Sequence, residues 1–148
     1  MQKLKLLRTE GRSMLKVVPD TNVLVSAAIV HGKQFELLKL AKLGKIKLIT
    51  SPDIIREFEE VISRKKFGFS RQQISGAVKQ ILEIAEIIIP QHKLDIVKED
   101  ADDNIILECA AESQADFIIS GDYHLLSLKQ YKNIKIVNTT EFFSKWYV

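Results

Sequence analysis

One cysteine, Cys109, leaves no partner for an internal disulfide. Its apolar surroundings mark it as a buried, inert thiol suited to a reducing compartment. With only three prolines and six glycines in 148 residues, there is no interdomain linker, and neither a repeat nor a low-complexity tract is visible. A single domain is expected. No apolar run approaches the ~20 residues of a membrane helix. Residues 1–13 lack the apolar stretch and small-residue cleavage site of a secretory signal. A cytoplasmic protein without membrane association is the expectation. Charge of one sign is also missing from the body of the chain. The net +3 belongs to residues 1–13, where Lys3, Lys5, Arg8 and Arg12 oppose Glu10. The remainder is neutral and offers no bulk attraction to nucleic acid.

What is present is a core. A hydrophobic fraction of 46% and a charged fraction of 28% are ordinary for a globular protein, and this length buries roughly 68–70% of its unfolded surface. Residues 15–19 form an unbroken apolar run, which suits a central parallel strand buried on both faces. A helix over 22–30 follows, capped by Asp20 or Thr21. A second covers 34–43 and stops at Gly44. Residues 46–50 read as a strand, and Ser51-Pro52 opens a third helix. Ser70-Arg71-Gln72-Gln73 is a capping box with Phe69 and Ile74 placed as a hydrophobic staple. That helix runs to about 86 and leads into a strand at 87–90. After a polar loop, a helix beginning near Asp100 ends near Ser113. A strand at 117–120, a short helix at 123–128 and a strand at 134–137 come next, and Thr139 or Thr140 caps a last helix. The alternation predicts a three-layer α/β/α domain around a central, mainly parallel sheet of about five strands.

Ligands of such sheets bind beyond the carboxyl ends of the strands, and the acids gather there. Asp20 follows the first strand and Asp122 follows the fourth through Ser120-Gly121. Asp100, Asp102 and Asp103 open the helix after the third. On the helix after the second, Ile54, Phe58, Val61 and Ile62 form the buried stripe. Glu57 and Glu59 flank that stripe, with Glu57 the better placed, while Glu60 points away into solvent. Asp102 and Asp103 lean toward the inner face of their helix, and Glu108 faces away. Each acid alone serves equally well as a helix cap, a dipole partner or a turn residue. Acids from four elements at one sheet edge repel one another unless a cation sits among them. Oxygen-only ligands suit Mg²⁺ or Mn²⁺ rather than zinc.

Competing chemistry is absent from the sequence. His31, His92 and His124 stand apart in loops without metal-ligand spacing, and there is no glycine-rich phosphate loop or nucleophile elbow. The stretch Arg64-Lys65-Lys66-Phe67-Gly68-Phe69-Ser70-Arg71 mixes cations with aromatics. It reads either as a helix end with a staple or as a single-strand contact through Arg64, Lys65, Lys66 and Arg71.

Four stretches together resemble the PIN-domain family of the VapC-like toxin kind. They are Val17-Val18-Pro19-Asp20-Thr21-Asn22, Ser51-Pro52 through Glu57 to Phe67, Asp103-Asn104-Ile105-Ile106-Leu107-Glu108-Cys109-Ala110, and Ser120-Gly121-Asp122-Tyr123-His124-Leu125-Leu126. The resemblance spans residue 14 to about 143. It implies a metal-dependent endoribonuclease acting on single-stranded RNA, often the toxin of a toxin–antitoxin pair, with an antitoxin protein as partner and a homodimer as its usual form. It places one or two Mg²⁺ or Mn²⁺ ions on Asp20, Glu57, Asp103 and Asp122, with Asn22, Ser120 and Asp102 in support. Pro19 departs from the aliphatic residue usual at that point. Residues 1–13 match nothing in the pattern and read as a poorly ordered N-terminal extension before a start at Met14, with residues 14–148 as the domain. Two other readings are a PIN-type scaffold that binds without cutting and a receiver-like signalling domain. The receiver wants an acid pair after the first strand, where this chain has Thr21-Asn22 after Asp20.

Overall fold

The computed structural model describes residues 14–29, 32–97 and 101–147. The extension at 1–13, the end of the first helix at Val30, His31 and Asp100 lie outside the described residues. Six strands, β1 (Lys16–Pro19), β2 (Lys47–Thr50), β3 (Ala85–Ile87), β4 (Phe117–Ile119), β5 (Gln130–Tyr131) and β6 (Ile134–Val137), form one sheet in the order β3-β2-β1-β4-β6-β5. Every pairing is parallel except β5 with β6. The five expected strands are all there. The sixth, β5, is a two-residue edge strand turned back through Lys132, whose φ of 56° is left-handed. Two residues carry no periodicity, so nothing in the sequence announces it. The order also separates this fold from the receiver-like alternative, which has strand order 2-1-3-4-5.

The helices are α1 (Thr21–Ile29), α2 (Lys33–Lys42), α3 (Pro52–Ile62), α4 (Arg71–Ile84), α5 (Ala101–Ser113), α6 (Tyr123–Leu126) and α7 (Thr139–Glu141), the last continuing as a π-helical turn, Phe142–Trp146. Successive strand residues point to opposite faces, and the two faces make separate cores. Val18, Ile118 and Ile136 pack with Phe58 and Ile62 of α3, Ile81 of α4 and Ile106 of α5. Val17, Phe117, Ile119 and Val137 pack with Leu37 of α2 and Phe142. This is the three-layer arrangement. Among the described residues no helix is long and apolar enough to cross a membrane.

Local signals set most of the boundaries. Ser51 caps α3, accepting from the Ile54 N–H at 3.3 Å, with Pro52 in the first helical position. The capping box closes in both directions, Gln73 N–H to Ser70 Oγ at 3.1 Å and Ser70 N–H to Gln73 Oε1 at 2.8 Å. Gly44 takes φ +74° just past α2, a conformation that costs side chains more than glycine. Two expectations are corrected. β3 begins at Ala85, two residues earlier than expected, because Ile84-Ala85 fits helical and strand periods alike and no breaker separates them. Asn138, not Thr139 or Thr140, caps the last helix, its Oδ1 accepting from Glu141 N–H at 2.7 Å.

Candidate active site

The strand order creates the site. From β1 the chain moves outward to β2 and β3, then crosses to place β4 on the other side of β1. The carboxyl ends of β1 and β4 therefore flank a topological switch point, where the diverging connections leave a crevice. Asp20 stands at the end of β1 and Ser120-Gly121-Asp122 at the end of β4. The β1–β2 register is recorded only through Val17, while β1–β4 pairing continues to Pro19. Since the Asp20 N–H donates to Ile119 O at 2.9 Å, the Pro19 position faces β2. There its missing N–H takes a donor out of the ladder.

Asp20 is held rigidly. Its Oδ1 accepts from Val23 N–H at 2.8 Å, capping α1, and its Oδ2 accepts from the Ser120 hydroxyl. Ser120 Oγ in turn accepts from the Asp122 N–H at 2.9 Å, so one buried hydroxyl ties the two acids together. Burial pushes the Asp20 carboxyl above its ordinary value; the Ser120 and Val23 hydrogen bonds oppose this, and the charge of Asp122 adds to it. A hydrogen bond with the Asp103 carboxyl holds Asp122 below its ordinary value. Partial burial opposes that, and the His124 N–H and imidazole assist it. Two carboxyls stay in such contact only while they share a proton. Asp122 Oδ1 also accepts from His124 N–H at 3.2 Å and caps α6. Asp20 and Asp122 are thus caps and site residues at once, and His124 sits in α6 beside an acid rather than apart in a loop.

One wall of the crevice is a single face of α3. Asp53, Arg56, Glu57, Glu60 and Val61 line it, the i, i+3, i+4, i+7, i+8 series of one helical stripe, and Arg64, two residues past the end of α3, extends the wall. Ile54, Phe58 and Ile62 are buried on the opposite, core side. This corrects the reading of Glu60: it is exposed, yet it borders the crevice, because the polar face of α3 looks across the crevice. Glu59 is exposed and not among the lining residues. Asp102 and Asp103 of α5 form the far wall, Asp103 buried and Asp102 exposed. Glu108 does turn from the crevice, but it is buried, not solvated. It accepts from Leu94 N–H at 2.9 Å under the loop 91–97. The buried Asn104 holds the same loop, accepting from Ile96 and Val97 N–H, both at 2.9 Å, and donating to Val97 O at 2.9 Å.

Asp20, Glu57, Asp103 and Asp122 therefore meet around a cavity of about 570 Å³. Asp102 and Asn22 stand at its rim, with no hydrogen bond from Asn22 to a carboxylate among the described residues, and Arg64 joins its wall. Lys65, Lys66 and Arg71 are exposed and outside it. Phe67 and Phe69 stack on each other, ring centroids 5.9 Å apart, and pack against the core. The sequence reading missed Arg56 and Lys93, which line the cavity and flank Asp53 at 2.8 and 3.6 Å. Arg56 was legible as a member of the α3 stripe; Lys93 carried no signal, since a loop brings it there. Thr21 was also missed: it lines the cavity, and its buried Oγ1 has no hydrogen-bond partner among the described residues.

Among the described residues, seven carboxylates against three cations, Arg56, Arg64 and Lys93, leave the cavity strongly negative. Among the described residues, no three acids converge closely enough to ligate one ion as they stand. The donors nevertheless fit a hard divalent cation. All are oxygens, and the proton shared by Asp103 and Asp122 is one that such a cation would displace.

No curated protein sequence matches the chain. Its fold is similar to that of two solved structures. One is VapBC2 from Rickettsia felis bound to a DNA fragment from its promoter, at 20% identity and a TM-score of 0.60, covering 84% of this chain and 98% of that one. The other is PAE2754 from Pyrobaculum aerophilum, at 18% identity and a TM-score of 0.57, covering 85% of each chain. The sequence pattern of the PIN domain matches residues 16–124. With most of its length matched and its acids gathered at the switch point of the sheet, the chain belongs to the PIN domain family.

Proposed function

We propose that the protein is an endoribonuclease that cleaves single-stranded RNA with Mg²⁺ or Mn²⁺, and that it is the toxin of a toxin–antitoxin pair. The observation that carries this is the charge of the cavity: among the described residues, seven carboxylates facing three cations repel a polyanion unless divalent ions are bound. Asp20, Glu57, Asp103 and Asp122 would hold one or two of them. A bound ion of this class lowers the pKa of water and stabilises charge on phosphoryl oxygens. The chain's own groups do the rest. Ser120 and the Val23 N–H fix both oxygens of Asp20, so this carboxylate needs no reorganisation when ligand arrives. Arg56, Arg64 and Lys93 meet phosphates at the rim. Asp122, already held below its ordinary range, stays ionised at neutral pH.

The partner belongs to the same reading. VapBC2 from Rickettsia felis is a complex, and an antitoxin for this chain would inhibit by laying an arginine into the acidic cavity. There its planar fork pairs with carboxylates and displaces metal. The expected form is a homodimer in the cytoplasm. Incubating purified protein with a pool of single-stranded RNAs, with Mg²⁺, with Mn²⁺ and with excess EDTA, tests the proposal. Cutting is expected only with the metals. Equal cutting in EDTA would refute it.

A further inference from the structure

A second pocket adjoins the acidic cavity and has the opposite character. It encloses about 290 Å³ between the start of α1, the start of α2, the Ser120-Gly121 turn and the residues opening α7. Asn22 borders both spaces, and the Ser120 that reaches the second pocket is the one hydrogen-bonded to Asp20 and Asp122. Among the described residues, none of the lining is acidic. Asn22, Ser26, Gln34, Asn138 and Thr140 offer amides and hydroxyls, and Lys33 supplies the one cation among them. Its ammonium donates to Thr140 Oγ1 at 3.2 Å and makes no ion pair among the described residues. The volume falls just below the roughly 300–1,000 Å³ of small-molecule sites, enough for one nucleoside unit and no more.

A polyanion crossing the switch point meets carboxylates in one space and, one residue away, a cation among neutral hydrogen-bonding groups. We propose that the second pocket receives the nucleotide next to the cut phosphodiester of a single-stranded RNA. Lys33 meets that nucleotide's phosphate, and the amides of Asn22, Gln34 and Asn138 meet its sugar and base. The strand therefore leaves the acidic cavity over the Ser120-Gly121 turn, and not across the basic segment at 65–71, whose aromatics are stacked together and packed against the core. This inference rests on the ribonuclease reading above.

The test is steady-state cleavage of a short fluorescein-labelled RNA in Mg²⁺ at a series of KCl concentrations. Wild type, Lys33→Gln, Lys33→Glu and the Lys65→Gln/Lys66→Gln double variant are compared, with thermal melts to show that each is folded. Lys33→Gln should raise KM about tenfold, the scale of one charge-assisted contact, and leave kcat unchanged. It should also flatten the dependence of log KM on log salt by about 0.7, the value for one phosphate contact on a single strand. Lys33→Glu should raise KM further, and the double variant should match wild type. Wild-type cleavage with KM and salt slope unmoved by both Lys33 variants would overturn the subsite alone. A double variant that takes the losses expected of Lys33 would do the same. A wild-type protein that cuts no RNA with either metal would overturn the subsite and the ribonuclease reading together.

Discussion

Asp103→Asn separates the structural duty of the acids from their chemical one. Asp103 is 7% exposed in the first turn of α5, and its carboxyl shares a hydrogen bond with that of Asp122. The amide of asparagine keeps the size and donates to Asp122 without needing a proton, so the contact survives at every pH. Two unit charges about 4 Å apart repel by about 1 kcal/mol at the dielectric of water and about 4 kcal/mol at an effective dielectric of 20. In metal-free protein the wild-type pair escapes this repulsion only by holding a shared proton, which at neutral pH costs free energy of similar order. Relief of about 1–3 kcal/mol is therefore expected from the substitution. Loss of a favourable charge at a helix N-terminus takes back about 0.3–1 kcal/mol. The variant should therefore be more stable than wild type in EDTA by about 1–2 kcal/mol. At this chain length each kcal/mol raises Tm by about 2–4 °C.

Magnesium reverses the order. An ion at about a hundred times its dissociation constant stabilises the wild type by about 2.7 kcal/mol, and a site missing one carboxylate gains less. Thermal melts of both proteins, in EDTA and in Mg²⁺, read the crossing directly, with RNA cleavage assayed on the same samples. The variant should cut no RNA. A variant less stable by the same amount in both conditions, and still active, would return Asp103 to the role of a charge near a helix terminus.

Three further outcomes follow from single groups. Asn104→Ala removes both acceptor contacts and the donor contact that hold residues 96 and 97, leaving the buried Val97 N–H unsatisfied at about 1–3 kcal/mol and freeing the part-buried Ile96 N–H to solvent. Urea unfolding should show a loss of this order, and hydrogen exchange at Ile96 and Val97 should accelerate; unchanged exchange would show that the clamp is not needed. The raised pKa of Asp20 means that the fold holds its proton where the unfolded chain has released it, so metal-free stability falls as pH rises above about 3.8. Asp122, shifted down, acts only below that value, so melts in EDTA should strengthen as the pH is lowered toward about 4, and Asp20→Asn should flatten the trend. Burial pushes the Cys109 thiol up to about 12 from 9.0. The thiol should resist an aromatic disulfide reagent until urea unfolds the chain, and stability should decline above about pH 9, where only the unfolded thiol ionises; ready labelling of native protein would contradict the burial.

The strongest sequence signals lay where one residue type has one local job. Ser51-Pro52 and Ser70-Gln73 mark helix starts through bonds made within three residues, and the alternation of β1 between Val17 and Val18 serves two cores. Asp20 and Asp122 were found for a different reason. Strand ends can be read from the sequence, and parallel strands place their carboxyl ends on one side. Which strand ends meet is a matter of sheet order, and that depends on long-range pairing. The sequence therefore showed the acids at one edge without showing that β1 and β4 are neighbours. Lys93 and β5 were hidden for the same reason: each is placed by contacts distant in the chain or too short to repeat.

Glu60 shows a subtler failure. Of the stripe expected on α3, Ile54, Phe58 and Ile62 are buried while Val61 is partly buried and lines the crevice, and the face opposite that stripe is not simply solvent. Assigning that face to solvent holds for a helix lying against the middle of a sheet. α3 starts at the crevice edge instead, one residue past β2, so its polar face is partly the wall of a site. The composition of that face carried the information. Asp53, Arg56, Glu57 and Glu60 put both signs of charge on one stripe, and Arg56 pairs with Asp53 three residues back. On a merely solvated helix such pairs contribute a few tenths of a kcal/mol. Beside seven carboxylates they do more, since each cation lowers the repulsion that the metal-free cavity must tolerate. The same cations are placed for phosphate once metal has neutralised the acids. A polar stripe of mixed sign that begins at a strand end is therefore a candidate site wall, and on that criterion Arg56 and Glu60 would have been found from the sequence alone.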